Sequence, residues 1–301
     1  MLLRYFSTRN SSKKVSSIEA ILKGLADDGG LYVPESIPKI DIGLLEGKNY
    51  KEIALEIFRI YLTDFTEAQL KEMIDLAYSD QFDIENLVRV KKVGRQSILE
   101  LFHGPTLAFK DMALSILPYF MTEAKKIKNI NEKTIILTAT SGDTGKAALE
   151  GFKDVPGIEI IVFYPNEGVS DVQKLQMLTT EGNNTHVVAI NGNFDDAQRS
   201  VKEAFSNLKL RELLKEDGFV FSSANSINIG RLIPQIVYYF YAYLEMIKQG
   251  SIYKGDSIKI SVPTGNYGNI LAAYYAKEMG LPVEKLICAS NENNILTDFI
   301  N

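Results

Sequence analysis

The first hundred residues show apolar positions that recur every three or four places, which is the spacing of amphipathic helices. This spacing predicts helices over residues 15–25, 50–61 and 66–78. Residues 1–9 are predicted to form a short strand and turn. We therefore interpret residues 1–100 as a mostly helical N-terminal domain.

From Thr134 the pattern changes, because short apolar runs begin to alternate with amphipathic segments. The runs predict strands at residues 135–139, 159–164, 186–190 and 218–221, and the segments between them predict helices at 146–152, 169–179 and from 194 to 205 and beyond. Regular alternation of strand and helix implies parallel strands joined by crossover helices. We interpret residues 129–227 as a small α/β domain.

After this unit the pattern predicts a long apolar helix at 231–248, a strand at 257–262, a helix at 270–277 and a buried strand at 286–290. Together with residues 101–128, the segment 228–301 is interpreted as a larger domain. A parallel strand needs cover on both faces, yet the sequence ends soon after the last one. We therefore expect the large domain to be incomplete and the chain to be a truncated form of a longer protein.

Composition and charge exclude several classes of function. The chain is 46% hydrophobic and 24% charged, which is typical of globular proteins, and a net charge of −5 with scattered basic residues gives no footprint for nucleic acid. A single cysteine, Cys288, excludes an intrachain disulfide framework, and two distant histidines make a zinc site improbable. No apolar run approaches the roughly 18 residues that span a membrane. We expect a cytoplasmic protein.

The first candidate for chemistry is Lys110, which follows a Gly-Pro turn in the segment HGPTLAFKD at residues 103–111. Its neighbours Leu107, Ala108 and Phe109 are apolar, so the amine is predicted to be buried. Burial disfavours the ammonium form and leaves a nucleophile that can form an imine with an aldehyde, of which pyridoxal phosphate is the commonest. The alternative is a lysine that extends to solvent from the first turn of a helix.

Three loops follow predicted strands, at the position where open α/β sheets bind ligands. TATSGDTG at residues 138–145 offers N–H groups and hydroxyls for an anion such as a carboxylate, or is simply a turn and helix cap. Gly265 and Gly268 stand at a helix start that suits a phosphate, or that has no ligand. The loop that carries Gly265 and Gly268 lacks the third glycine of a dinucleotide fingerprint and the lysine of a nucleotide P-loop. This absence favours a cofactor smaller than a nucleotide.

The third loop, at residues 222–231, carries Asn225, Ser226 and Arg231. Amide, hydroxyl and guanidinium groups together recognise a phosphate ester, although the same residues also suit a polar loop with a solvated arginine. A chain that offers an imine-forming lysine and three anion loops is better explained by a shared ligand site than by four unrelated local structures.

These segments resemble the four signature segments of threonine synthase. They are HGPTLAFKD at 103–111, TATSGDTG at 138–145, NSINIGR at 225–231 and GNYGN at 265–269, and residues 5–9 and 25–34 are similar to the N-terminal domain of that family. The resemblance implies the tryptophan-synthase-β-like fold, fold type II of pyridoxal phosphate enzymes: an α/β fold with parallel sheets covered by helices and a helical N-terminal domain. It also makes the larger domain the cofactor-binding one.

For the cofactor, the resemblance implies that Lys110 holds pyridoxal 5'-phosphate covalently and acts as the catalytic residue. The phosphate of the cofactor is then bound by Gly265, Asn266, Tyr267, Gly268 and Asn269. Asp143 stands where the wider superfamily has an asparagine beside the phenolic oxygen of the cofactor. An aspartate there needs a proton or a nearby cation.

For the substrate, the resemblance implies a carboxylate site at Thr140, Ser141, Gly142 and Thr144, and a phosphate site at Asn225, Ser226 and Arg231. The implied reaction converts O-phospho-L-homoserine and water to L-threonine and phosphate. The alternatives are a phosphate-eliminating lyase or a dehydratase of the same family, or a non-catalytic protein that binds a phosphorylated metabolite. We expect a monomer or homodimer without nucleic-acid or membrane partners, and we expect the present chain alone to be inactive.

Overall fold

The fold consists of small β-sheets joined and covered by helices. The computed structural model describes residues 2–263 and 266–291. Its strands are β1 (Tyr5–Ser7), β2 (Asn10–Val15), β3 (Tyr32–Pro34), β4 (Arg89–Val93), β5 (Gln96–Glu100), β6 (Lys133–Ala139), β7 (Ile158–Pro165), β8 (Thr185–Ile190), β9 (Phe219–Ser223), β10 (Ile258–Pro263) and β11 (Val283–Ala289). Its helices are α1 (Ser17–Lys23), α2 (Tyr50–Tyr61), α3 (Glu67–Ala77), α4 (Asp111–Leu114), α5 (Leu117–Lys128), α6 (Asp143–Phe152), α7 (Asp171–Leu178), α8 (Phe194–Ser206), α9 (Leu208–Glu216), α10 (Ile229–Lys248) and α11 (Gly268–Met279), with a 3₁₀ turn at Ile42–Leu45.

The N-terminal part contains the three predicted helices and more strand than the sequence suggested. β1 lies at the centre of an antiparallel sheet of order β2-β1-β3, and β4 and β5 form a separate antiparallel hairpin. The strand β2 was not predicted, because most of its residues are polar and exposed and it therefore lacks the alternation of buried apolar residues. The description of this part as mostly helical is therefore incomplete.

Four parallel strands form the central sheet, in the order β8-β7-β6-β9, as the alternating pattern predicted. β6 and β9 are neighbours, so the loops that leave their carboxyl ends lie at one edge of the sheet. The helix predicted from residue 194 is two helices, because Asn207 ends α8 and caps α9. The sheet therefore brings two of the three candidate loops together.

Most of the long helix α10 is buried. All thirteen residues from Ile229 to Tyr241 are buried, and the helix packs against α2, α4 and α11. Buried apolar residues of the N-terminal part, of one face of the central sheet and of α10 belong to one continuous core, whereas Leu137 and Ala139 of β6 pack with α8 in a smaller cluster. The domain boundaries given above stay a prediction.

The second parallel pair, β10 and β11, is linked by α11. Leu271, Tyr274 and Ile287 on this unit keep 40–45% of their surface exposed. Within the described ranges, no helix has the length and apolar character needed to cross a membrane.

Asn228 joins three parts of the fold at the start of α10. Its Oδ1 accepts a hydrogen bond from the Gly230 N–H at 2.9 Å, and its Nδ2 donates to the carbonyl oxygens of Ile21 and Ser223, each at 3.0 Å. The side chain is fully buried. Its removal therefore leaves buried carbonyl groups without donors, which is more costly than the loss of an exposed hydrogen bond.

We predict that Asn228→Ala lowers the midpoint of thermal unfolding by roughly 4–16 °C, because a loss of about 2–4 kcal/mol is expected and each kcal/mol corresponds to about 2–4 °C in a large domain. Asn207→Ala is the matched control, since Asn207 also caps a helix but is exposed. It should lower the midpoint by only about 2–4 °C. Equal shifts for the two variants, measured by circular dichroism, would contradict the structural role given to Asn228.

Candidate active site

The loop before Lys110 is folded around the carboxylate of Asp111. Its Oδ2 accepts the Thr106 N–H at 2.9 Å, and its Oδ1 accepts the Thr106 hydroxyl at 2.5 Å. Asp111 is 2% exposed, and burial raises the pKa of its carboxyl group. A Cβ atom on Gly104 would lie 2.6 Å from the Asp111 side chain, so only glycine fits there. These contacts fix the backbone on which the lysine stands.

Lys110 precedes the short helix α4 and extends into a cavity. Its Nζ lies 4.7 Å from the centre of the Phe109 ring and donates a hydrogen bond to Asp143 Oδ2 at 2.6 Å. The side chain is 13% exposed. Burial lowers the pKa of the Lys110 amine, the charge of Asp143 opposes this shift, and the charge of Arg231 adds to it. The predicted burial of this lysine is therefore seen, and its partner is the aspartate singled out from the sequence.

Arg231 is a buried cation on the same cavity. Its Nη1 donates to the Ala224 carbonyl at 2.9 Å, while its Nε is buried and has no hydrogen-bond partner within the described part of the chain. Burial lowers the pKa of Arg231 to about 10, so the guanidinium stays charged at neutral pH. Asp143 therefore has two cations nearby, Lys110 and Arg231, which supply the positive charge that an aspartate at this position needs.

The loop between β6 and α6 is held by the hydroxyl of Thr140. This oxygen accepts the N–H groups of Gly142 at 3.0 Å and Gly145 at 2.8 Å. Gly142 has φ +151°, and a Cβ there would lie 2.4 Å from the Gln173 side chain. The positive φ therefore favours glycine at position 142. Ser141 and Thr144 line the cavity, whereas Gly142 does not.

Asn225 ties the loop after β9 to the end of β6. Its Nδ2 donates to the Ala139 carbonyl at 3.0 Å, and its backbone N–H donates to the Ser223 hydroxyl oxygen at 3.2 Å. Ser226 follows Asn225 and lies close to the start of α11. A Cβ atom added to Gly268 would lie 3.4 Å from the Cβ of Ser226. The two loops and α11 therefore meet at one place.

The loop before α11 is described from Asn266 onward. Tyr267 has a left-handed backbone, with φ +37°, and Gly268 begins the helix. Asn269 is held by the hydroxyls of two tyrosines of α10. Gly265, which was predicted to bind phosphate, lies outside the described residues.

One cavity of about 260 Å³ collects most of the predicted site residues. Its volume is slightly below the roughly 300–1,000 Å³ of typical small-molecule pockets. The lining residues that the sequence predicted are Lys110, Thr140, Ser141, Asp143, Thr144, Asn225, Ser226, Arg231, Asn266, Gly268 and Asn269. The same cavity is also lined by Phe109, Ala139, Phe194, Gln235 and Pro263, which were not predicted as site residues.

Gln235 is the missed residue that had a signal in the sequence. It is a polar side chain within the apolar segment LIPQIVYYF of α10, and a buried polar group there needs partners. Its Nε2 donates to the Arg231 carbonyl at 2.7 Å. Phe194 had no such signal, because a phenylalanine that begins an amphipathic helix is an ordinary core residue.

A second cavity, of about 350 Å³, lies between residues 84–90 and α10. It is larger, but its lining contains no lysine, and its charged side chains are Glu85, Arg89 and Glu245. The chemistry predicted from the sequence is therefore concentrated in the smaller cavity.

Comparison with known proteins identifies the family. Residues 91–300 match the family described as "Pyridoxal-phosphate dependent enzyme", and residues 4–78 match the one described as "Threonine synthase N terminus". The chain belongs to the pyridoxal-phosphate-dependent enzyme family. Both the fold-type prediction and the cofactor prediction are thereby confirmed at the level of the family.

Relatives and solved structures support the more specific resemblance. The chain is 40% identical to threonine synthase of Schizosaccharomyces pombe over 98% of its own length and 58% of that protein, and 43% identical to human threonine synthase-like 1 over 99% and 42%. The crystal structure of pyridoxal-phosphate-bound threonine synthase from Brucella melitensis superposes with a TM-score of 0.86, at 39% identity, over 99% of this chain and 62% of that one. The chain thus spans between two fifths and three fifths of these proteins.

The residues of the cavity fit this cofactor. An aldehyde group needs a primary amine, which Lys110 supplies in a cavity where its pKa is lowered. A phosphate group needs N–H donors at a helix start, and the first turn of α11 offers such groups from Asn269 onward, whereas the Gly268 N–H already donates to the Asn266 carbonyl. The residues present therefore suit both the aldehyde and the phosphate of pyridoxal phosphate.

We predict that Asp143→Asn lowers the pKa of the Lys110 amine further. The carboxylate of Asp143 stabilises the ammonium form, so its loss leaves the effects of burial and of Arg231 unopposed. The pH at which Lys110 becomes reactive should move down. Acetylation with a pulse of acetic anhydride at graded pH, followed by peptide mapping of the cofactor-free protein, measures this midpoint.

Glu150→Gln is the matched control for this experiment. Glu150 also neutralises a lysine of the same region, since Lys146 Nζ lies 2.8 Å from its Oε2. This variant should leave the midpoint of Lys110 unchanged. An unchanged or raised midpoint in Asp143→Asn would overturn the electrostatic role given to Asp143.

Proposed function

We propose that the protein to which this chain belongs converts O-phospho-L-homoserine and water to L-threonine and phosphate. The observation that carries the proposal is that one cavity is lined by both the Lys110 amine and the buried Arg231 guanidinium, whose Nε has no hydrogen-bond partner among the residues that the structure describes. A lysine alone suits many substrates of this enzyme family. A buried, underused cation beside it favours a substrate with a strongly anionic group such as a phosphate ester.

Pyridoxal phosphate, when bound, supplies an aldehyde for attachment of an amine and an electron sink for the electrons of a broken Cα–H bond. The side chains of the protein do the rest. In the proposed site, Lys110 holds the cofactor at rest and afterwards accepts the proton from the substrate Cα at Nζ. The lowered pKa of this amine supports that role, because a proton acceptor must be uncharged near the working pH.

Asp143 accounts for how the lysine is kept in place when its amine is free. In the structure its Oδ2 accepts a hydrogen bond from Lys110 Nζ at 2.6 Å. A carboxylate at this distance orients the amine and also stabilises it once it has taken up a proton. We therefore assign Asp143 an orienting role at the cofactor end of the cavity.

The proposed carboxylate and phosphate sites use different kinds of group. Ser141 and Thr144 line the cavity at the start of α6, where N–H groups of the helix suit the substrate carboxylate. The Thr140 hydroxyl shapes this loop and does so through the N–H groups of Gly142 and Gly145. Ser226 and Arg231 are proposed to bind the substrate phosphate, and Asn225 to position them.

Arg231 would also favour the chemical step. As the Cγ–O bond breaks, the leaving phosphate gains charge, and a guanidinium fixed in a cavity stabilises that charge more than water does. Water must then be admitted to Cβ to give the hydroxyl of threonine. The overall reaction consumes one water and releases one phosphate.

Two other functions within the family remain open to the same test. A phosphate-eliminating lyase would release phosphate together with ammonia and 2-oxobutyrate instead of threonine. A dehydratase acts on a substrate with a hydroxyl group in place of the phosphate, so it would not need the proposed phosphate site at Asn225, Ser226 and Arg231. A non-catalytic protein that binds a phosphorylated metabolite is the candidate from a different class, and the reactive environment of Lys110 argues against it.

The complete protein, as its gene encodes it, should form L-threonine and phosphate in equal amounts from O-phospho-L-homoserine in the presence of pyridoxal phosphate. Lys110→Ala should lower kcat by roughly 10²–10⁴-fold, the usual contribution of a proton-transfer group. Lys125→Ala is the control, because burial also lowers the pKa of Lys125, but its amine binds the Gly157 carbonyl. Phosphate without threonine would instead identify the lyase, and binding without turnover would identify the non-catalytic protein.

We further predict that Arg231→Lys lowers kcat/KM for O-phospho-L-homoserine by about 10–100-fold, because a lysine cannot reproduce the hydrogen-bond geometry of a guanidinium towards phosphate. Inhibition by inorganic phosphate should weaken in parallel. The control Arg211→Lys changes an exposed arginine that pairs with Asp27 at 3.5 Å. Unchanged kinetics in Arg231→Lys would remove Arg231 from the substrate site.

A further inference from the structure

One face of α10 carries a row of polar side chains. Gln235 follows Arg231 by four residues, and Tyr238 and Tyr239 follow Gln235 by three and four residues. These spacings place the four side chains along one face of the helix. All four are buried. Arg231 and Gln235 line the active-site cavity, and the two tyrosines continue the row towards α11.

The tyrosines bind the side chain of Asn269, which belongs to the first turn of α11. Asn269 Oδ1 lies 2.5 Å from the Tyr238 hydroxyl and 2.6 Å from the Tyr239 hydroxyl, and the Tyr239 hydroxyl is also 3.1 Å from the Asn269 carbonyl. Gln235 Oε1 lies 3.2 Å from the Tyr238 hydroxyl. Polar contacts therefore run without a break from Arg231, through Gln235, to Asn269.

The distances of 2.5 and 2.6 Å assign the amide oxygen of Asn269, and not its nitrogen, to the two tyrosine hydroxyls, because O–H···O hydrogen bonds are shorter than N–H···O ones. Burial raises the pKa of both tyrosine hydroxyls, so both keep their proton and can donate. Two donors fill the two acceptor sites of an amide oxygen. The Nδ2 group is thus the part of Asn269 left to donate, and Asn269 lines the cavity.

We propose that Tyr238 and Tyr239 are positioning residues for the cofactor phosphate. Their hydroxyls bind Asn269 Oδ1. The Asn269 Nδ2 group and the N–H groups at the start of α11 are thereby oriented before the phosphate binds. Orientation in advance strengthens binding, because the ordering of the loop is no longer a cost of association. The inference rests on the cofactor part of the proposed function and not on the identity of the substrate.

The test compares pyridoxal 5'-phosphate with pyridoxal, which has the same ring and aldehyde but lacks the phosphate. Dissociation constants for both are measured on the complete protein by fluorescence titration, without substrate. Loss of both hydroxyls in Tyr238→Phe with Tyr239→Phe should weaken binding of pyridoxal 5'-phosphate by about tenfold, a change of about 1.4 kcal/mol, because Asn269 is then no longer oriented in advance. Binding of pyridoxal should change by less than about twofold.

Tyr243→Phe is the matched control. Tyr243 is a buried tyrosine of the same helix, but its hydroxyl binds the Asp256 carbonyl at 3.2 Å and the Gly255 N–H at 3.0 Å. This variant should bind both compounds as the unaltered protein does. The single variant Tyr239→Phe leaves Tyr238 in place and gives a smaller effect of the same kind if the double variant folds poorly.

Three outcomes would overturn the inference. Unchanged affinity for pyridoxal 5'-phosphate would show that the hydroxyls do not position the loop. An equal loss for both compounds, or the same loss in Tyr243→Phe, would indicate general damage to packing. If the unaltered protein binds both compounds equally well, the phosphate site itself is misassigned. Threonine formation is measured separately from cofactor binding. The comparison of the two dissociation constants therefore stays valid even if the protein does not form threonine.

Discussion

The site depends on the desolvation of one amine. Lys110 can act as a nucleophile and proton acceptor only if burial lowers its pKa, yet a buried cation without a partner is costly. Asp143 resolves this conflict by pairing with the amine at 2.6 Å. The pairing works in turn because Arg231 supplies a second positive charge near the same carboxylate. The charge of each of the three groups therefore affects the protonation of the others.

Sheet topology explains how these groups meet although they lie far apart in the sequence. β6 and β9 are neighbours, so the loops that follow them share one edge of the sheet, and α10 begins directly after the second loop. Asn225 links the two loops through the Ala139 carbonyl, and Asn228 links the start of α10 to α1 and β9. The site is therefore held by the same hydrogen bonds that hold the fold.

The sequence predicted the parts of the site that carry their own local signal. Lys110 follows a turn among apolar residues, and the loops after β6 and β9 are polar segments between apolar runs. Tyr238 and Tyr239 had no such signal, because they stand in an apolar helix and their partner Asn269 lies about thirty residues away. The strand β2 was missed for a related reason, since its exposed polar residues leave no buried alternation.

The buried helix α10 sets the distance between the two proposed anion sites. Arg231 stands at the substrate end of its polar row and Tyr238 at the cofactor end, seven residues further along. At 1.5 Å per residue this separation is about 10.5 Å along the helix axis. Because the residues of α10 from Ile229 to Tyr241 are buried, the helix cannot bend at one end without disturbing the core. Pro234 lies between the two sites and has no N–H to donate to the carbonyl of Gly230, so the spacing of the sites depends on the packing of α10 in the core as well as on its backbone hydrogen bonds.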